Sequence, residues 1–196
     1  SSRSLRERRA LQPTPFQQAV LMYRQTASIA NLGGRGSGKS VSLCLDAADR
    51  CRTLQQHARP LITREQWSAL DQLRDQLYDL CVSIFGTKCS VNKSEGTLTV
   101  PATSSIITFT QIADAASYSK HQGKSFCSLY HDEWANYGSQ AIQLCDRLRS
   151  NLRPPKSIRP HIHLTGNPMG RAHALAMRRF VTKSAPGQPF QETPSD

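Results

Sequence analysis

The residues best suited to chemistry are Gly33-Gly34-Arg35-Gly36-Ser37-Gly38-Lys39-Ser40. They match the phosphate-loop pattern G-x-x-x-x-G-K-[ST] at every fixed position. Four glycines let the backbone curl so that successive N–H groups point at phosphate oxygens. A helix starting here adds the partial positive charge of its N-terminus. Lys39 is then the cation that reaches the β- and γ-phosphates, and the Ser40 hydroxyl is a ligand for Mg²⁺. The spacing predicts ATP and Mg²⁺ as cofactors, with the whole segment Gly33 to Ser40 as binding residues.

Ninety-three residues after Lys39 comes Asp132-Glu133, following the short apolar run that begins at Phe126. Nucleotide hydrolysis needs a carboxylate to hold Mg²⁺ and a base to orient and deprotonate water. Asp132 suits the first task and Glu133 the second. In extended backbone, neighbouring side chains point to opposite sides, so the two can have separate roles. An exposed acidic turn is the bland alternative; the preceding phosphate loop, which needs an acidic partner to hydrolyse well, favours the catalytic reading.

These residues need strands and helices to hold them. Ile29 to Leu32 reads as a buried strand entering the loop, and Val41 to Ala48 as a helix leaving it. Pro13 and Pro15 precede a helical run to about Ser28, with Pro15 suited to the helix start. Pro60 to Thr63 is a second strand. From Gln66 to Phe85, Trp67, Leu70, Leu73, Leu77, Leu80 and Ile84 recur at three- and four-residue steps, predicting an amphipathic helix closed by Gly86 and packed on the core. Cys89 to Val91 and Thr97 to Val100 flank a turn-forming segment and predict a hairpin. Ser105 to Phe109 and His161 to Thr165 are further strands, and helices are expected over about 139–150 and 171–181. The strand Ser105 to Phe109, between the phosphate loop and Asp132-Glu133, suggests the additional-strand, RecA-like class of α/β P-loop ATPases, with a mostly parallel sheet flanked by helices.

At 196 residues, one such domain is expected, spanning 11–184 between a basic arm (1–10) and a Pro/Gly-rich tail (185–196). No run approaches the ~18 apolar residues a membrane helix needs, so no membrane is expected as a partner. The six cysteines lack C-x-x-C spacing and read as reduced, buried thiols, favouring a cytoplasmic compartment. His161 and His163 share one strand face, as a metal pair would, but no third ligand stands at metal-site spacing, so a satisfied or exposed pair is preferred. Net charge is +11, and from Arg147 to Lys183 there are nine basic residues and no acidic one. A one-sign stretch argues for phosphate contact, through Arg153, Lys156, Arg159, Arg171, Arg178 and Arg179.

Together these residues resemble the ATPase domain of the large terminase subunit, the genome-packaging motor of tailed bacteriophages. The resemblance rests on Pro15-Phe16-Gln17, on Gly33 to Ser40 with its internal Arg35, and on the block from Ser105 through Gly123 to Glu133. It rests most specifically on Leu164-Thr165-Gly166-Asn167-Pro168, followed by His173 and Arg178-Arg179-Phe180. It implies ATP hydrolysis driving double-stranded DNA into a procapsid, by a ring of these subunits on the portal with the small terminase subunit as partner. The expected location is the bacterial host cytoplasm, at the procapsid portal. It also implies that Gln17 helps recognise adenine, that Arg35 senses the γ-phosphate in cis, and that Thr165, Gly166 and Asn167 couple hydrolysis to DNA movement.

Two departures stand out. Ser128 and His131 occupy strand positions that are usually aliphatic in the family, and the region before Asp132 offers Lys120 and Lys124 rather than a trans-acting arginine. The family's C-terminal nuclease needs clustered carboxylates, whereas only Asp146, Glu192 and Asp196 follow Glu133, so nuclease activity is not expected from these residues. A helicase-like DNA-remodelling ATPase and a nucleotide-binding regulatory module with little turnover are the competing readings.

Overall fold

The computed structural model describes residues 12–24, 28–167 and 169–189. The expected basic arm, the end of the first helix before Ser28, Pro168 and the last seven residues of the tail lie outside the described residues.

Helix α1 (Pro15–Tyr23) starts where a proline can, because an N1 residue needs no backbone donor. Thr14 caps it: its hydroxyl accepts the Gln17 N–H while Gln17 Oε1 accepts the Thr14 N–H at 2.9 Å. Strand β1 (Ile29–Leu32) leads through the glycine loop into α2 (Lys39–Leu54), and β2 (Pro60–Arg64) is followed by α3 (Trp67–Phe85). Strands β3 (Ser90–Asn92) and β4 (Thr97–Val100) form the expected hairpin. Next come β5 (Ser105–Gln111), the short α4 (Ala115–Ser119), β6 (Ser128–His131), α5 (Ser139–Leu148) and β7 (His161–Gly166). The final expected helix is broken into α6 (His173–Ala176) and a π turn (Met177–Val181).

The seven strands form one sheet in the order β1-β7-β6-β2-β5-β4-β3, parallel from β1 to β5 and antiparallel through β4 and β3. Alternation along the strands divides the core. Ile62, Ile107, Phe109 and Tyr130 face α2 and α3, while Leu61, Leu129 and Leu164 face the side packed by α5. On α3, Leu70, Leu73, Leu77 and Leu80 are buried as their spacing predicts. Trp67 and Ile84, at the two ends, are 44% and 38% exposed, so the core-packing stripe is shorter than the sequence pattern.

The sequence leaves the strand order open, and the structure supplies it. The strand inserted between the loop strand β1 and the Asp-Glu strand β6 is β7, not Ser105 to Phe109, which lies beyond β2. The additional-strand class therefore holds through a different segment, one that ends in Thr165 and Gly166. Five of the six cysteines are buried and Cys89 is partly so, all as free thiols.

Candidate nucleotide-hydrolysis site

Because β1, β7, β6 and β2 are parallel neighbours, their carboxyl ends bring the glycine loop, Thr165, Asp132 and Arg64 to one edge. Ligands of open parallel sheets bind outside such strand ends. In the loop, Gly36 and Gly38 both have φ near 76°, a left-handed conformation that glycine adopts without a Cβ penalty. Gly38 is the N-cap of α2 and brings no side-chain cap, so the first-turn N–H groups suit an anion. Lys39 Nζ donates to Gly33 O at 3.0 Å, Gly34 O at 2.6 Å and Ser37 Oγ at 3.1 Å.

Ser40 Oγ donates to Asp132 Oδ1 at 2.9 Å, across 92 residues of chain. Thr165 Oγ1 donates to the same oxygen at 2.7 Å. Asp132 is fully buried, and its Oδ2 makes no hydrogen bond, having only Arg64 Nε at 3.5 Å. A carboxylate oxygen without a hydrogen-bond partner beside a loop serine is a hard oxygen donor set, which fits Mg²⁺.

The expected extended geometry of the Asp-Glu pair does not hold. Glu133 is left-handed, at φ 54° and ψ 33°, so the chain turns sharply between the two carboxylates. Its N–H donates to Thr165 Oγ1 at 3.0 Å, so one threonine hydroxyl holds both residues. The Glu133 carboxylate is half exposed and accepts from an Arg64 terminal nitrogen at 2.7 Å. Arg64 also donates to Ala69 O in the first turn of α3. Burial alone would lower the Arg64 pKa, but Glu133 and Asp132 outweigh it and raise it. The sequence reading did not single out Arg64; its position at the carboxyl end of a parallel strand was the available signal.

The remaining sequence candidates divide. Gln17 stands beside the loop, where a Cβ added to Gly38 would meet its Nε2 at 3.4 Å, although its Oε1 is engaged in the α1 cap. Arg35 is exposed on the loop. Gly166 accepts the Gly33 N–H at 3.1 Å, joining β7 to the loop, whereas the Asn167 side chain accepts from Met169 N rather than reaching Asp132. The basic stretch is not one face. Arg153, Lys156 and Arg159 lie in the segment entering β7 at the opposite end of the sheet, Arg171 pairs with Glu65 beside the site, and Arg179 pairs with Asp146. Arg178 is exposed on the π turn.

The His161 and His163 pair is buried, and the fold brings the third group that spacing did not reveal. His161 Nε2 and His163 Nδ1 both donate to Asp46 Oδ2, at 2.8 and 2.9 Å. Burial would raise the Asp46 pKa, but these hydrogen bonds hold it well below the usual carboxylate range, while burial lowers that of His161. Arg24 lies 3.7 Å from Asp46 Oδ1, and His163 Nε2 has no hydrogen-bond partner. A metal-bound histidine normally donates its other ring N–H, so the cluster reads as a buried hydrogen-bonded contact between α2 and β7. His131 likewise adapts a polar residue to the core: its Nδ1 is 2.7 Å from Thr63 Oγ1, and burial pushes its pKa down to about 4.

A mostly parallel sheet with this loop, an Asp-Glu pair just past the end of β6 and an additional strand between them defines a P-loop ATPase fold of the RecA-like class. Residues 25–192 match the phage terminase large subunit family, and the chain belongs to that family. The fold is similar to the ATPase domain of the large terminase of Thermus phage P74-26, at 17% identity over 96% of this chain and 78% of that one, with a TM-score of 0.56. It is also similar to the large terminase of a thermophilic bacteriophage, at 14% identity over 80% of this chain and 40% of that one, TM-score 0.64. A complex of that second terminase with ADP aligns at 12% identity over 79% of this chain and 39% of that one, TM-score 0.56. The chain thus spans about 40% of the length of the thermophilic phage protein. Among curated proteins, none matches. No described helix is long and apolar enough to cross a membrane.

Proposed function

We propose that this chain is the ATP-hydrolysing motor domain of a phage terminase, driving double-stranded DNA into a procapsid. The observation that carries the reading is the convergence of Ser40, Thr165 and Arg64 on Asp132 and Glu133. It joins the phosphate loop, both carboxylates and the family's coupling segment in one hydrogen-bonded unit, and the ADP complex of the thermophilic phage terminase supports a nucleotide as the ligand.

The loop N–H groups and Lys39 bind the phosphates, once Lys39 Nζ exchanges its carbonyl partners for phosphate oxygens. Ser40 and Asp132 are the residues that would hold Mg²⁺, which when bound would supply positive charge to the phosphate oxygens. Glu133 orients the attacking water and takes its proton, and Arg64 and Thr165 fix where that carboxylate sits. Thr165 and Gly166 touch both the catalytic turn and the loop, so displacement of this strand end is felt at Glu133 and Gly33. Asn167 shapes the turn beyond. Gln17 contacts the base and Arg35 the γ-phosphate when nucleotide is bound. The working assembly is a ring on the portal in the host cytoplasm, with the small subunit as partner and the basic residues contributing salt-sensitive DNA contacts.

The test is steady-state ATPase with duplex DNA and Mg²⁺, paired with nucleotide titration. Glu133→Gln should retain ATP binding and lose at least about a hundredfold in turnover, because an amide cannot accept the proton. Lys39→Ala should lose binding. Unchanged turnover in Glu133→Gln, or unchanged affinity in Lys39→Ala, would refute the reading.

A further inference from the structure

The chain beyond the coupling segment is pressed closely onto the turn beyond Glu133. A Cβ added to Gly170 would lie 2.3 Å from Ala135 O and 2.4 Å from Asn136 Oδ1, and one added to Gly166 would lie 2.8 Å from Ala135 Cβ. Only glycine permits such an approach. Ala172 N donates to Ala135 O at 2.8 Å, and Arg171 Nε donates to Asn136 O at 2.8 Å. The turn is closed in its own right by Asn136 N donating to Glu133 O. Gly166, residues 170–172 and the turn after Glu133 are therefore packed together, and that packing brings the Arg171 guanidinium to the lining of a cavity of about 280 Å³.

Four charged side chains line this cavity: Arg64, Glu65, Glu133 and Arg171. They pair as Arg64 with Glu133 and Arg171 with Glu65. Glu65 is the chain neighbour of Arg64, and its Oε1 also accepts the Gly138 N–H at 2.9 Å. The cavity thus offers Arg64 two carboxylates, and a guanidinium takes whichever is left without a cation. We propose that Arg171 is a positioning residue: by engaging Glu65, it leaves Arg64 to Glu133 and so sets the position of the catalytic carboxylate. This rests on the hydrolytic reading above. It also gives the post-coupling segment a chemical handle on the site, because any movement that withdraws Arg171 releases Glu65 to compete for Arg64.

The experiment combines turnover with a measurement independent of turnover. Arg171→Ala should lower kcat roughly tenfold, since small misplacements of a reacting group cost up to about a hundredfold, while nucleotide affinity stays within about twofold. Because Arg171 is 64% exposed, its melting temperature should shift by under about 2 °C. Arg171→Lys keeps the charge and should stay within about threefold of the parent, as an ammonium still engages Glu65 without the second donor. Adding Glu65→Gln to Arg171→Ala removes the competing charge but retains an acceptor for Gly138, and should recover most of the lost kcat. A purely structural role for Arg171 would not be rescued by a second deletion. In parallel, hydrogen exchange of the nucleotide-free protein should be faster over 133–138 in Arg171→Ala and return toward the parent in the double variant. An Arg171→Ala kcat within twofold of the parent, or no rescue by Glu65→Gln, overturns the proposal. If the parent itself does not hydrolyse ATP, the hydrolytic reading fails, and unchanged exchange over 133–138 would then overturn the positioning role separately.

Discussion

Replacing Thr165 with valine keeps the volume and β-branching of the side chain but removes the hydroxyl that joins the two carboxylate residues. Thr165 is 1% exposed and Asp132 fully buried, so water cannot substitute for the lost group. The bond to Asp132 Oδ1, at 2.7 Å, is a hydrogen bond to a carboxylate and contributes about 1.5–3 kcal/mol. The Glu133 N–H, bonded at 3.0 Å, loses its acceptor, adding roughly 1 kcal/mol because the site is only partly buried. The left-handed Glu133 keeps the bond from Asn136 N to its carbonyl but loses the acceptor of its own N–H. The expected cost is about 3 kcal/mol in all, or a fall of roughly 1.5 M in the urea midpoint for an m-value near 2 kcal/mol/M. Turnover should fall about a hundredfold, since Arg64 alone is left to position Glu133, while nucleotide affinity falls much less because the Ser40 contact with Asp132 remains. Thr165→Ser, which restores the hydroxyl, should recover most of both losses. A Thr165→Val urea midpoint within about 0.3 M of the parent, or parent-like turnover, would refute this account of the catalytic turn.

Two further outcomes follow from neighbouring contacts. Arg64→Ala should lower kcat by about tenfold or more with nucleotide affinity nearly unchanged, because it frees the Glu133 carboxylate and removes the cation nearest Asp132 Oδ2; parent-like kcat in steady-state assays would exclude an orienting role. Stability should also fall as pH drops from 6.5 toward 4. His131 has its pKa lowered to about 4 by burial, from an ordinary 6.5, so the unfolded chain binds the proton first and the native state is penalised across that window. The contribution is on the order of 3 kcal/mol, read by urea unfolding at pH 7 and pH 4.5, and His131→Leu should flatten the slope.

The local chemistry was legible in the sequence because it is local. A glycine loop followed by Lys39 and Ser40 predicts the turn that opens α2, Pro15 and Thr14 set a helix start, and apolar spacing sets α3. The family's motifs, from Gly33 to Asn167, were readable as strings of residues. What the string could not hold was adjacency across the sheet. Strand order put β7 between β1 and β6, and only that order lets Thr165 reach both Asp132 and Glu133. The same crossover carried His161 and His163 to Asp46, over a hundred residues away, and made the pair part of a buried hydrogen-bonded cluster. In the string Arg64 is not singled out and Arg171 reads as a DNA-phosphate contact, because a guanidinium's role is set by which carboxylate it meets, and that meeting is decided by strand ends and by the close seating of Gly170 on Ala135. The single-sign stretch from Arg147 to Lys183 is distributed by the fold for the complementary reason: consecutive charges on a chain that crosses the sheet through β7 emerge at opposite ends of that strand.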